Sequence, residues 1–279
     1  MRFFVTTDGT KLAYRDEGEG LPVLALAGLT RDGRDFDYVA PHLEGIRLIR
    51  LDSRGRGQSG WSGADTYTVP QEADDAIALL DHLKIDKAAI LGTSRGGLIA
   101  MLLGAVAKGR LHGICLNDVG PVLEPPALTR IGDYIGKRPV AKTIEGMAEK
   151  LSHDPAFPNV PMSRWIEEAE RHYVQEGTGL GLTYDPELRT SFIKALDAPA
   201  VDAWPLFDAM KGIPTMLVRG HNTDLLSEET ANEMRKRIPE MIFVDVADRG
   251  HVPFLDEPLV VSDLQRWIGE MKDRASKAE

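Results

Sequence analysis

Cysteine is nearly absent from this chain: one residue, Cys115, occurs among 279, so no disulfide can form within it. Cys115 stands in an apolar run, which predicts a buried, inert thiol. Basic residues are also scarce relative to acidic ones, with 33 Lys and Arg against 43 Asp and Glu and a net charge of −10. Nucleic acids and anionic membranes bind clustered positive charge, so this balance disfavours both as partners.

Long hydrophobic runs are missing as well. No stretch approaches the roughly 18 consecutive apolar residues of a membrane-spanning helix, and the apolar run at the N-terminus is too short for a signal peptide. We therefore expect a cytoplasmic protein that acts on a small molecule. Neither metal-ligand spacing nor a phosphate loop is found, so no metal and no cofactor are predicted. The sequence does not indicate an oligomeric state.

The pattern that is present indicates an α/β fold. An N-terminal hairpin (3–5 and 11–14) is followed by short apolar runs that alternate with helical patterns, which is typical of a mostly parallel sheet with helices on both faces. We predict about eight strands, antiparallel only at the start. After the hairpin they are expected at residues 23–27, 48–51, 88–91, 113–116, 215–218 and 242–244.

The alternation is interrupted between residues 121 and 201. This segment shows several short amphipathic helical patterns separated by prolines and no convincing strand. We interpret it as a helical insertion, a cap over one end of the sheet, within a core made of residues 1–120 and 202–279. A separate helical domain with its own core is the alternative.

A candidate nucleophile stands in the segment Gly92-Thr93-Ser94-Arg95-Gly96, which matches G-x-S-x-G. A predicted strand precedes it, and a helix that is apolar nearly all round, and hence buried, follows it, as this motif requires. The sharp turn holds the serine at an unfavourable backbone angle and leaves no room for side chains two positions away. It also sets Ser94 at a helix N-terminus, where developing negative charge is favoured.

A serine needs a base to accept its proton, and His251 is the candidate. It follows the last strand, at the carboxyl edge of the sheet where Ser94 also emerges. His221 is a weaker competitor, and the other five histidines are expected at surfaces or helix ends. For the acid that orients His251 we prefer Asp224, which follows the strand at 215–218, over Asp118, which ends the strand at 113–116.

These residues resemble those of the α/β-hydrolase superfamily along nearly the whole chain, in the hairpin, Gly-Thr-Ser-Arg-Gly-Gly, Arg-Gly-His-Asn-Thr-Asp and Asp-Arg-Gly-His-Val-Pro. The resemblance implies that the insertion is that family's helical cap. It also implies an oxyanion hole formed by the backbone N–H groups of Leu29 and Arg95, although this chain has Ala27 where many members have histidine. Arg31 and Trp204 are candidates for the substrate pocket.

The predicted function is that of a serine hydrolase that cleaves a small carboxylic ester through an acyl-enzyme. The Arg95 side chain either binds a substrate carboxylate or forms a structural ion pair. Cleavage of a carbon–carbon bond or an enol-lactone in an acidic ring-fission product is an alternative within the same fold. A hydrolase-like receptor with little turnover is the non-enzymatic alternative.

Overall fold

The fold is described from a computed structural model covering residues 1–199 and 201–277. Ala200, inside the predicted cap, and the last two residues of the predicted core lie outside the described part. The strands, in chain order, are β1 (Arg2–Val5), β2 (Lys11–Gly18), β3 (Leu21–Leu26), β4 (Ile46–Leu51), β5 (Ala88–Thr93), β6 (Leu111–Asn117), β7 (Tyr173–Glu176), β8 (Gly179–Leu182), β9 (Thr215–Gly220) and β10 (Ile242–Val246).

Some of the α-helices pack on the sheet, and others lie in the segment between β6 and β9. In chain order they are α1 (Val69–His82), α2 (Arg95–Val106), α3 (Pro125–Tyr134), α4 (Ile144–Ser152), α5 (Met162–His172), α6 (Leu188–Asp197), α7 (Trp204–Asp208), α8 (Glu228–Arg237) and α9 (Pro258–Ser276). Within the described residues, no helix combines the length and the apolar character that crossing a membrane demands.

The main sheet has eight strands in the order β1-β2-β4-β3-β5-β6-β9-β10. Only the pairs β1–β2 and β2–β4 are antiparallel, and the other pairs are parallel. The predicted architecture is thereby confirmed. The parallel strands β5, β6, β9 and β10 end at one edge of the sheet, so the loops that follow them meet there.

Two buried layers hold the sheet between its helices. Alternate residues of β5 point to opposite faces: Ile90 packs in one layer with Leu79 of α1 and Ile99 of α2, and Leu91 packs in the other with Trp267 of α9. Both faces are therefore apolar, which explains why the strands read as continuous hydrophobic runs. Packing on both faces holds the strands in place, and the strands in turn position the loops at the carboxyl edge of the sheet.

Residues 121–201 contain α3 to α6 and also a two-stranded antiparallel hairpin, β7–β8. The expectation that this segment holds no strand was wrong. Most of β7 is exposed and β8 is rich in glycine, so neither carries the apolar alternation that marks a strand in a sequence. The segment packs over the carboxyl edge of the sheet, while its limits at 121 and 201 stay a prediction.

Candidate active site

Ser94 occupies a strained turn between β5 and α2. Its backbone has φ 50° and ψ −113°, a region that side-chain-bearing residues rarely adopt. A Cβ placed on Gly92 would lie 2.5 Å from the Gly96 carbonyl oxygen, and one on Gly96 would lie 2.0 Å from the Leu26 carbonyl oxygen. The absence of side chains at both positions is therefore what lets the strand, the turn and the helix close together.

His251 lies between Ser94 and a buried carboxylate. Its Nε2 is 2.9 Å from Ser94 Oγ, and its Nδ1 is 2.7 Å from an Asp118 carboxylate oxygen. The imidazole side chain is 11% exposed and the Asp118 side chain is fully buried. A serine hydroxyl, an imidazole and a carboxylate thus form one hydrogen-bonded chain, the arrangement that activates a serine as a nucleophile.

The choice of Asp224 as the partner of His251 was wrong. Arg130 of α3 donates to both Asp224 carboxylate oxygens, at 2.7 and 2.8 Å, and the Asp224 side chain is 42% exposed. Although partial burial raises it, the hydrogen bond and charge of Arg130 hold the pKa of Asp224 below its ordinary value. Asp224 therefore joins the cap segment to the core instead of orienting the histidine.

Asp118 is the partner of His251 because its backbone conformation and hydrogen bonds direct its carboxylate toward the imidazole. It follows β6 with a left-handed backbone, φ 56°, which aspartate tolerates better than most residues. One carboxylate oxygen accepts from the Gly220 N–H at 2.9 Å, and the other accepts from the Thr223 hydroxyl at 2.6 Å and faces His251. His221, the competing base, lies on the surface 3.3 Å from Asp245.

The loop after β3 lies beside Ser94. A Cβ on Gly28 would lie 3.8 Å from Ser94 Cβ, so this loop passes next to Ser94. Among residues 1–199 and 201–277, the backbone N–H groups of Leu29 and Arg95 have no hydrogen-bond acceptor. Two unengaged donors near a serine at a helix N-terminus suit the binding of an oxyanion.

The Arg95 side chain forms a structural ion pair. It donates to Glu72 at 2.7 and 3.0 Å and to the Tyr67 carbonyl at 2.8 Å. Arg56 also donates to Glu72, at 2.8 Å, and to the Leu29 carbonyl, at 2.8 Å. Although burial raises it, the two guanidinium groups hold the pKa of Glu72 below its ordinary value. One buried carboxylate thus connects the residues of both candidate oxyanion donors.

A cavity of about 470 Å³ adjoins His251 between the sheet edge and the cap segment. Three aromatic rings form one wall: Phe157 and Trp165 from the cap segment and Phe254 from the loop after His251, with ring centroids 5.7 to 6.2 Å apart. A volume in this range with a largely apolar wall is typical of a small-molecule site.

Arg31 lines this cavity, as predicted, whereas Trp204 is not among its lining residues. Trp204 begins α7, where its ring packs edge-on against Phe207 at 5.9 Å and under the Arg237 guanidinium at 4.1 Å. The tryptophan follows the cap segment in the chain, but it is partly buried against the helices on one face of the sheet. Its assignment to the pocket was therefore wrong.

A polar cluster at the junction of core and cap was missed from the sequence. His172 of α5, expected at a surface or helix end, lines the cavity and lies 3.2 Å from Glu168 and 3.5 Å from Asp35. Burial raises the pKa of Asp35 to about 7, and burial together with nearby arginines holds the pKa of His172 well below its ordinary value. Helical periodicity identifies α5 but does not tell which of its polar residues face the cavity.

Metal binding finds no support in the side-chain geometry: no three His, Cys, Asp or Glu side chains of residues 1–199 and 201–277 are grouped to hold an ion. Burial raises the pKa of the Cys115 thiol far above its ordinary value, in keeping with a buried, inert residue.

The fold and the site define an α/β hydrolase, and comparison with known proteins agrees. Residues 23–264 match the model of the alpha/beta hydrolase family, and the chain belongs to that family. A 3-hydroxybutyrate-oligomer hydrolase of Cupriavidus necator is 40% identical over 266 residues, which is 90% of each chain. The crystal structure of an alpha/beta hydrolase from Novosphingobium aromaticivorans has a TM-score of 0.89 and 35% identity, covering 96% of this chain and 97% of that one. The chain is accordingly a hydrolase.

Proposed function

We propose that this hydrolase is a serine carboxylic ester hydrolase with Ser94 as nucleophile, His251 as general base and Asp118 as the residue that orients His251. The observation that carries the proposal is the continuous chain of contacts from Ser94 Oγ through the imidazole to Asp118, at 2.9 and 2.7 Å. Both distances are within hydrogen-bonding range, so proton transfer needs no rearrangement of these side chains.

The reaction proceeds in two halves. His251 accepts the Ser94 proton as Oγ bonds to the ester carbonyl carbon, and the N–H groups of Leu29 and Arg95 bind the oxyanion of the tetrahedral intermediate. The intermediate collapses with loss of the alcohol, which takes the proton from His251 and leaves an acyl-enzyme. Water then gives a proton to His251 and attacks the acyl carbon, and the acid leaves as Ser94 regains its proton.

We propose a short linear ester of a hydroxy acid as the substrate class. The Cupriavidus necator relative is named for 3-hydroxybutyrate oligomers, and its similarity extends over the cap segment as well as the core. The cavity volume of about 470 Å³ and its aromatic wall suit a short, partly apolar chain. This proposal involves a small-molecule partner in the cytoplasm and no cofactor.

The alternative on acidic ring-fission products loses one of its supports. It relied on the Arg95 guanidinium as a carboxylate-binding group, and that guanidinium is held by Glu72 and the Tyr67 carbonyl. The receptor alternative is decided by turnover, because a binding protein would hold an ester without releasing its alcohol.

Labelling by a fluorophosphonate tests the nucleophile directly. We expect the probe to modify Ser94 in the folded protein, and Ser94→Ala to lower the turnover of p-nitrophenyl acetate by about 10⁶-fold. Ser262→Ala, an exposed position on α9, is the matched control and should keep both labelling and turnover. Ser94→Ala with wild-type turnover would refute the proposal, and tight ester binding without turnover in the wild type would favour the receptor.

A further inference from the structure

Arg31 presents hydrogen-bond donors to the cavity beside the nucleophile. Its Nη1 donates to Glu168 at 3.1 Å and lies 3.8 Å from Asp35. Within residues 1–199 and 201–277, its Nε and Nη2 atoms have no hydrogen-bond acceptor, and neither is sealed from solvent. The side chain is 36% exposed and lines the cavity. One edge of the guanidinium is thus fixed, and donors remain for a ligand.

The position of Arg31 follows from the loop after β3. The Arg31 N–H donates to the Gly28 carbonyl at 3.1 Å, which turns the chain back beside Ser94. A Cβ on Gly28 would lie 3.4 Å from Arg31 Cγ and 3.8 Å from Ser94 Cβ. The Arg31 side chain therefore begins next to Ser94, and Arg31 and His251 line the same cavity.

Given the proposed function, we infer that Arg31 binds a carboxylate of the substrate, and that the substrates are esters with a carboxylate about four bonds from the scissile carbonyl. An ester of a 3-hydroxy acid has this spacing, since four bonds join its carbonyl carbon to its carboxylate carbon and span about 5 Å when extended. Guanidinium groups bind carboxylates bidentately through two adjacent donors. Nε and one Nη form such a pair.

The charge near Arg31 is compatible with a bound anion. Because burial raises the pKa of Asp35 to about 7, this neighbour is partly protonated at neutral pH and offsets only part of the positive charge. Arg171 adds a second guanidinium, which lies 3.9 Å from each of Glu168, Glu167 and Asp37. A substrate carboxylate at Arg31 would therefore meet a guanidinium with two neighbouring acids, of which Asp35 is partly protonated.

Two other cavity-lining cations, Lys137 and Lys150, are the competing site for a carboxylate. Both belong to the cap segment, and no carboxylate lies within 4 Å of either in the part of the chain that the structure describes. Arg130 and Arg138 also line the cavity but are paired with Asp224 and Glu176. The experiment must therefore separate Arg31 from the two lysines.

Charge selectivity is the measured quantity. The linear dimer of 3-hydroxybutyrate is assayed as the free acid and as its methyl ester, and the ratio of the two kcat/KM values is compared between proteins. We expect the wild type to prefer the acid, and Arg31→Met to lower the ratio by about 10- to 150-fold, the effect of losing a hydrogen bond to a charged group. Lys137→Met and Lys150→Met should keep the ratio within about threefold of the wild type.

Loss of Arg31 removes the nearest guanidinium from Glu168, so the double variant Arg31→Met/Glu168→Gln, which removes both charges, is measured as well. A wild type without preference for the acid would overturn the inference, as would a ratio that falls in the lysine variants and not in the Arg31 variants. Wild-type protein that is labelled at Ser94 but cleaves neither dimer would refute the role of Arg31 and the hydroxy-acid substrate class, and would leave Ser94 as the nucleophile. Failure to label Ser94 would refute the proposed function itself.

Discussion

Replacing Asp118 by asparagine tests the assignment of the acid. Asp118 receives the Gly220 N–H on one oxygen and the Thr223 hydroxyl and His251 on the other. An asparagine that still accepts from Gly220 must turn its NH₂ toward His251 Nδ1. The imidazole proton then moves to Nε2, which faces Ser94 and can no longer accept the serine proton. The opposite rotamer would place the NH₂ against the Gly220 N–H, donor against donor.

The expected loss is large for Asp118 and small for Asp224. A triad aspartate changed to asparagine lowers kcat by about 10⁴-fold, or about 5.5 kcal/mol in activation free energy. Asp224→Asn weakens only a half-exposed ion pair with Arg130, for which about 1 kcal/mol of stability is the usual upper limit. Its kcat should stay within about threefold of the wild type.

The assay is initial-rate hydrolysis of p-nitrophenyl acetate, with the rate of fluorophosphonate labelling as a second measure of Ser94 nucleophilicity. Circular dichroism establishes that both variants are folded. An Asp118→Asn protein with a kcat within tenfold of the wild type would refute the assignment. Equal losses in the two variants would show that Asp224 shares the role.

Three further outcomes are expected. Glu72→Gln leaves the buried Arg56 guanidinium and the partly buried Arg95 guanidinium without a charged partner and should lower the free energy of unfolding by about 3–5 kcal/mol, measured in urea. Gly96→Ala should yield misfolded or inactive protein, since the new Cβ would lie 2.0 Å from the Leu26 carbonyl oxygen, whereas Gly269→Ala, with no atom within 4 Å, should stabilise α9 by about 1 kcal/mol. Asp35 has its pKa raised to about 7 by burial, so between pH 4 and 7 the unfolded chain releases a proton that the folded protein retains. Stability should thus fall by up to about 1.4 kcal/mol per pH unit as pH rises through this window, and Asp35→Asn should reduce that slope; an unchanged slope would contradict the assignment.

Local sequence patterns were sufficient to predict the main sheet and to single out Ser94 as the candidate nucleophile. The parallel strands are buried on both faces, so each one reads as an apolar run. Gly92 and Gly96 mark the turn at Ser94 because a Cβ at either position would meet backbone atoms at 2.5 Å or less. The requirement at Gly92 comes from the turn itself and the one at Gly96 comes from Leu26 of β3, but both fix a glycine two positions from Ser94, where a short sequence motif records them.

No local sequence pattern distinguished the acid that pairs with His251. Asp118 and Asp224 both follow parallel strands, β6 and β9, that are neighbours in the sheet and end at the same edge. Which of them reaches His251 depends on the left-handed backbone of Asp118 and on the Arg130 side chain, which comes from a helix far away in the chain and engages Asp224.

The residues around the cavity depended on tertiary structure in the same way. Arg31 and His172 lie 141 positions apart in the chain, yet both line the cavity because the cap segment folds over the loop after β3. Trp204, closer to the cap segment in sequence, packs elsewhere. The sequence by itself predicted the strands of the main sheet and their order in the chain, and it singled out Ser94 and His251 as candidates. Only the tertiary structure decided the acid partner and the cavity lining, because these depend on side chains that meet across long stretches of chain.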